Sequence, residues 1–106
     1  IKPRDSNKII ENLVFNQLQA LGYQVHVGKK YNREVDFVAS KNKDMRYIQV
    51  TYMLADEQVI EREFGNLQQI RSDYPKYVIS MDDIPFDSYE GIKHLRLQDF
   101  LLMETF

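Results

Sequence analysis

Residues 33–52 read "REVDFVASKNKDMRYIQVTY", two strand-like runs around a polar turn. A symmetric turn centred between Asn42 and Lys43 sets Asp36 opposite Gln49, Glu34 opposite Thr51 and Val38 opposite Tyr47. Directly opposed residues of an antiparallel pair project to the same side. One face is therefore expected to carry Glu34, Asp36, Gln49 and Thr51, and the other Val35, Phe37, Ala39, Ile48 and Val50. A slip of one residue would set core against polar side chains, so the hydrophobic pattern selects this register. It also gathers polar groups inside apolar runs, where a carboxylate such as Asp36 is costly to bury.

The flanking sequence completes an α/β pattern. Asp5 or Ser6 can cap a helix running to about Leu21, with Gly22 as its stop. On that helix Ile10, Val14, Leu18 and Leu21 share one face, and Lys8, Asn12, Asn16 and Gln19 the opposite one. Tyr23, Val25 and Val27 alternate with Gln24 and His26 as a first strand. After the hairpin, residues 55–70 read as a second helix with Val59, Ile60, Phe64, Leu67 and Ile70 inward. A strand is expected over 77–80, another over 92–97, and a last helical turn capped by Asp99. The order α-β-β-β-α-β predicts one domain over residues 1–106, a mixed sheet flanked by two helices.

Bulk properties bound the function. The chain has 106 residues, 43% hydrophobic and 28% charged, as in an ordinary globular domain. It contains no cysteine, which removes disulfides and thiolate metal sites and fits a reducing cytoplasm. No apolar run exceeds four residues, against roughly 20 needed to span a bilayer, so no membrane partner is expected. The chain opens on Ile1, and the expectation is a domain cut from a longer protein. A net charge of −2 argues against a broadly basic nucleic-acid binder. Locally, however, Lys29, Lys30, Arg33, Lys41, Lys43 and Arg46 face only Glu34, Asp36 and Asp44 within the same stretch. That basic strip is a candidate phosphate contact, DNA included; the plainer reading is a solvated hairpin edge.

Glu11 is a second misplaced acid. On the helical wheel it falls between Leu18 and Phe15, inside the apolar arc. A lone Glu there snorkels or pairs with a lysine such as Lys8 or Lys30; together with Asp36 it suggests a hard-cation or acid/base site. Other chemistries find less support. His26 and His94 are isolated, and Ser40, Ser72, Ser80 and Ser88 have no partnered histidine at an informative spacing. Tyr47 is read as packing, with base stacking as the alternative, and Arg62 with its flanking acids as exposed charge pairing.

A helix Glu, a hairpin Asp and (E/Q)-x-K on the next strand resemble the active-site signature of the PD-(D/E)XK restriction-endonuclease-like superfamily. More closely, "ENLVFNQLQALGYQVHVGKKYNREVDFVA" (11–39), "YIQVTY" (47–52), "EREFGNLQQI" (61–70) and "PKYVISMDD" (75–83) resemble the domain of unknown function at the C-terminus of prokaryotic AAA+-type ATPases. The resemblance implies an ATPase module before Ile1 as partner in the same polypeptide. ATP would belong to that module, since this chain lacks G-x-x-x-x-G-K-[ST]. It also implies that Glu11, Asp36 and Gln49 match the Mg²⁺-holding positions and Thr51 the lysine position. Gln49 offers a carbonyl without charge, and Thr51 offers no cation, so the implied site is degenerate. Lys30 and Arg62 are the candidate replacements, and neither has a persuasive spacing. Three functions stand open: a nuclease-like domain that binds nucleic acid or a partner without cutting, an active Mg²⁺-dependent nuclease, and a docking module for the ATPase.

Overall fold

The computed structural model describes residues 3–28, 35–54, 56–84 and 88–106. The elements are α1 (Pro3–Ala20), β1 (Gln24–Val27), β2 (Phe37–Lys41), β3 (Asp44–Val50), α2 (Glu57–Gln68), β4 (Lys76–Ser80), β5 (Ser88–Tyr89), β6 (Ile92–Arg96) and α3 (Leu97–Leu101). They contain the expected α-β-β-β-α-β order, extended by a short hairpin and a closing helix. The six strands form one mixed sheet in the order β1-β2-β3-β4-β6-β5. β1, β2 and β3 are antiparallel, β3, β4 and β6 run parallel, and β5 returns antiparallel on β6.

Both faces of the sheet are covered, and alternate residues serve opposite clusters. Phe37, Ala39, Ile48, Val50, Tyr77 and Ile79 pack with Ile10, Val14 and Leu18 of α1 and with Leu97 and Phe100 of α3. Val38, Tyr47 and Val78 pack on the other side with Phe64 and Leu67 of α2, and with Leu54, Ile70 and Ile92. A strand buried on both sides needs apolar residues in succession, which is why "YVIS" at the sheet centre shows no polar alternation. Among the described residues, no helix is long and apolar enough to cross a membrane.

The β2–β3 hairpin has the expected register, with Phe37 opposite Ile48 and Lys41 opposite Asp44. Asn42 takes the left-handed conformation (φ 57°) that the tight turn requires and that Asn tolerates. The facial assignment fails around Asp36: Val35 packs in the α2-side cluster with Val38, not with Phe37 and Ala39. Asp36 lines a pocket with Glu11 and Phe37 while Gln49 turns to α2, so the two do not share the expected polar face. Glu34 lies outside the described residues. The alternation breaks because the chain bends at Asp36, where the β2–β3 ladder has ended.

Other boundaries also shift. The first helix begins at Pro3, so Asp5 and Ser6 lie within it rather than before it; proline's fixed φ suits the first helical position. Asp56 caps α2, its carboxylate accepting the Val59 N–H at 3.0 Å. Asp99 lies inside α3, because that helix starts directly off β6 with Arg96 at its cap position. Its carboxylate instead meets Arg96 Nε at 3.4 Å.

Candidate functional site

Asp36 stands where β2 parts from β3. Its Oδ2 accepts the backbone N–H of Val50 at 2.8 Å, and its own carbonyl accepts the N–H of Gly28 at 3.0 Å. The side chain thus continues the sheet for one bond after the backbone has turned away. Gly28 makes this possible. A Cβ there would lie 2.1 Å from the Val35 carbonyl oxygen, a distance no side chain can occupy.

Glu11 of α1 and Asp36 line one pocket of about 420 Å³, together with Lys8, Asn12, Phe15, Val27 and Phe37. Glu11 is half-buried, as its place in the apolar arc implies. Lys8 brings a cation to the same wall, although the helical wheel set it on the polar face and sequence reasoning otherwise considered it only as a partner for Glu11. Its signal was available: Lys8, Glu11 and Asn12 are spaced for adjacent turns of one helix.

Gln49 does not line that pocket. It lies between Ile48 and Val50, which face α1, and so projects toward α2. There its Nε2 donates to Glu63 Oε2 at 2.8 Å, while its Oε1 is buried without a partner. Val50 N is one peptide bond from Gln49, so the Asp36 carboxylate lies beside the root of the Gln49 side chain. The geometry joins Glu11 to Asp36 across a pocket, Asp36 to Gln49 through the Val50 amide, and Gln49 to Glu63 by a hydrogen bond.

Glu63 corrects the reading of Arg62 and its flanking acids as surface charge. Arg62 is exposed, but Glu63 is only 8% exposed, its Oε1 3.4 Å from Arg62 Nη2. The wheel argument that singled out Glu11 applies here too. Glu63 lies within the arc of Val59, Ile60, Phe64, Leu67 and Ile70.

Thr51 is buried at 7% exposure, its N–H given to the Ile79 carbonyl. Of the candidate replacements for the missing cation, Arg62 is paired with Glu63 and Lys30 lies outside the described residues. Among the described residues no three His, Cys, Asp or Glu side chains gather as a metal-binding group. A cation in the pocket would have the Glu11 and Asp36 carboxylates as its protein ligands. Carboxylate and amide oxygens are the ligands a hard ion such as Mg²⁺ takes, and one or two carboxylates plus water suffice for it.

The proposed phosphate-contacting residues divide. Lys29, Lys30 and Arg33 lie outside the described residues. Lys41 and Lys43 are exposed at the hairpin tip, roughly 16 Å along β2 from Asp36 at about 3.3 Å per residue. Lys41 Nζ also donates to the Leu21 carbonyl at 3.0 Å and sits over the Tyr23 ring, closing the end of α1. Arg46 is held still more firmly. Its Nη1 donates to Tyr77 Oη at 2.9 Å, its Nη2 meets Asp44 at 3.1 Å, and its guanidinium lies 4.7 Å from the Phe106 ring centre.

The remaining candidates resolve structurally. Tyr47 is buried, which removes base stacking for it. Ser80 does have a histidine partner, His94 Nε2 at 2.7 Å, because parallel neighbours β4 and β6 bring together residues distant in sequence. Ser80 is fully buried and its Oγ also accepts the Asp82 N–H at 3.1 Å, so it closes the end of β4 and is shielded from any substrate. Three strands separate His26 on β1 from His94 on β6.

Over 93 residues, 88% of this chain, the sequence is 33% identical to an uncharacterised protein of Haemophilus influenzae. The chain spans 22% of the length of that curated relative. No protein-family model matches the chain, and no solved structure matches it.

Proposed function

We propose that this chain is a PD-(D/E)XK-like accessory domain of a prokaryotic AAA+-type ATPase, acting in the cytoplasm and binding nucleic acid without cutting it. One observation carries the reading. Asp36 is held at the parting of β2 and β3 by Val50 and shares a pocket with Glu11, while Thr51, two residues beyond Gln49, is buried and uncharged. The acidic half of a phosphodiesterase site is present, and β3 lacks the cationic half. A bound Mg²⁺ would supply charge to a phosphate oxygen, with Glu11 and Asp36 as its holders. Without a lysine to position water, phosphate binding is expected to outlast hydrolysis.

The test is fluorescence anisotropy of a labelled duplex and of its single strand across a salt series, beside plasmid nicking in Mg²⁺ and Mn²⁺. Affinity that falls as salt rises, with no nicking, is the expected result. Nicking that disappears in Asp36→Ala would overturn the non-cutting half of the reading. Salt-independent or absent binding would leave a docking module for the ATPase.

A second reading, an active Mg²⁺-dependent nuclease, draws on Lys8, which lines the pocket with Glu11 and Asp36. It requires nicking activity that Lys8→Ala removes while the fold survives.

A further inference from the structure

β1 (Gln24–Val27) forms one edge of the sheet and β5 (Ser88–Tyr89) the other. The Gly28 N–H bonds the Asp36 carbonyl directly opposite it, and inward and outward backbone groups alternate along an antiparallel strand. Gln24, His26 and Gly28 therefore direct their N–H and C=O groups to β2, and Val25 and Val27 direct theirs outward. Edges of this kind are ordinarily protected by a lysine, a proline or a bulge. β1 reads Gln-Val-His-Val, pairs with β2 without a bulge and carries no charge. Val27 is 43% exposed, an apolar side chain at the end of that edge.

The strand is complementary to a second copy of itself. Antiparallel pairing about a twofold axis through His26 sets Val25 of each copy opposite Val27 of the other. It is the one antiparallel register that uses both outward residues. Each valine pair exchanges two hydrogen bonds, and His26 faces its twin as the non-hydrogen-bonded pair between them. Val25 and Val27 lie opposite Ala39 and Phe37 on the α1 side of the sheet, and His26 lies opposite Val38 on the α2 side. Apolar side chains thus meet across the junction, and no charged residue of β1 meets its like.

The helices leave room for this. α1 packs on both β1 and β3 and so lies astride β2. Two copies of it would stand about 14 Å apart on one face, at about 4.8 Å per strand, and a helix is about 10–12 Å across. Toward the junction α1 presents Asn12, which shares a pocket with Val27, and Gln19, both exposed and uncharged.

We infer that β1 is a self-association edge, joining two copies of this chain into one continuous sheet about a twofold axis at His26. Val27 lines the pocket of Glu11 and Asp36. Val25 of the second copy stands beside it on the same face, so each copy extends the wall of the other's pocket. The pairing does not depend on whether that pocket takes phosphate.

The chain has no cysteine, so a single introduced one reports the register. His26→Cys places twin Cα atoms about 4.5 Å apart, within disulfide reach. Gln24→Cys places them more than about 13 Å apart, four residues along the strand at about 3.3 Å each. Oxidation of the full chain should give a linked dimer, twice 12.7 kDa, from His26→Cys and none from Gln24→Cys. In sedimentation equilibrium the wild-type mass should rise toward that value with concentration, as a small interface requires. His26→Lys and His26→Glu should each remain monomeric, since like charges meet on the axis, and their equimolar mixture should associate. Val27→Pro removes an outward N–H and spares the β2 ladder, and should also remain monomeric. Should Val27→Pro fail to fold, the charge pair decides alone. Equal crosslinking of the two cysteines, or a dimer indifferent to both charges, would overturn the inference. So would a monomeric wild type whose Val25 and Val27 amides resist hydrogen exchange, which would assign the edge to cover from within the chain.

Discussion

The carboxylate of Asp36 and the backbone N–H of Val50 meet at 2.8 Å, one residue beyond Phe37 and two beyond Ile48, the last paired residues of β2 and β3. The bond makes Asp36 a structural residue as well as a candidate ligand, and two substitutions separate the roles. Asp36→Ala strands a partly buried N–H and should cost about 1–3 kcal/mol in urea unfolding. Asp36→Asn keeps an acceptor oxygen and should cost under about 1 kcal/mol. Both should lose Mn²⁺ affinity. An Ala variant as stable as wild type would contradict the structural part.

Gly28 holds that geometry from the β1 side. Its missing side chain lets the Val35 backbone approach to where a Cβ would sit. Gly28→Ala should cost about 1–3 kcal/mol by overpacking and should shift the Val50 amide resonance, because the Gly28–Asp36 bond must give way. Unchanged stability and an unchanged resonance would rule out the close approach.

Burial raises the Tyr23 phenol above its ordinary value of 10.0; Arg46 opposes the rise, and Asp44 and Tyr77 add to it. The unfolded phenol therefore loses its proton at lower pH than the folded one. The stability linked to Tyr23 is intact below about pH 10 and is lost as pH climbs through the folded value. Melting temperatures should fall more steeply above about pH 10 in wild type than in Tyr23→Phe. Parallel curves would show that Tyr23 carries none of the loss.

Arg46→Lys tests the aromatic cage beside it. Lysine keeps the charge but cannot bridge Tyr77 Oη and Asp44 while lying flat on Phe106. A loss of about 1–2 kcal/mol is expected from denaturation. A neutral result would mean that charge alone matters there.

Lys43 and Lys41 should behave differently toward DNA. Lys43→Ala should lower the salt dependence of binding by about one phosphate contact without affecting stability. Lys41→Ala should also lower Tm, since it releases the Leu21 carbonyl and uncovers Tyr23. Equal and purely electrostatic effects would contradict the tether.

The hairpin register was legible because side-chain period and turn symmetry are local: Phe37 could oppose only Ile48 without turning core side chains to solvent. The face of α2 was legible for the same reason through Phe64, Leu67 and Ile70. Glu63 was equally within reach, since its place on the wheel is as anomalous as that of Glu11. Ser80 with His94 was not, because their contact depends on which strands are neighbours in a parallel sheet.

The element order, the hairpin pairing and the two apolar helix faces all follow from short-range periodicity and can be read from the residues alone. That Glu11 and Asp36 share a pocket while Gln49 turns to Glu63 depends on how the elements pack. The reason lies at one peptide. The bend at Asp36, permitted by Gly28 and secured by Val50, breaks the alternation that every period-based assignment assumes.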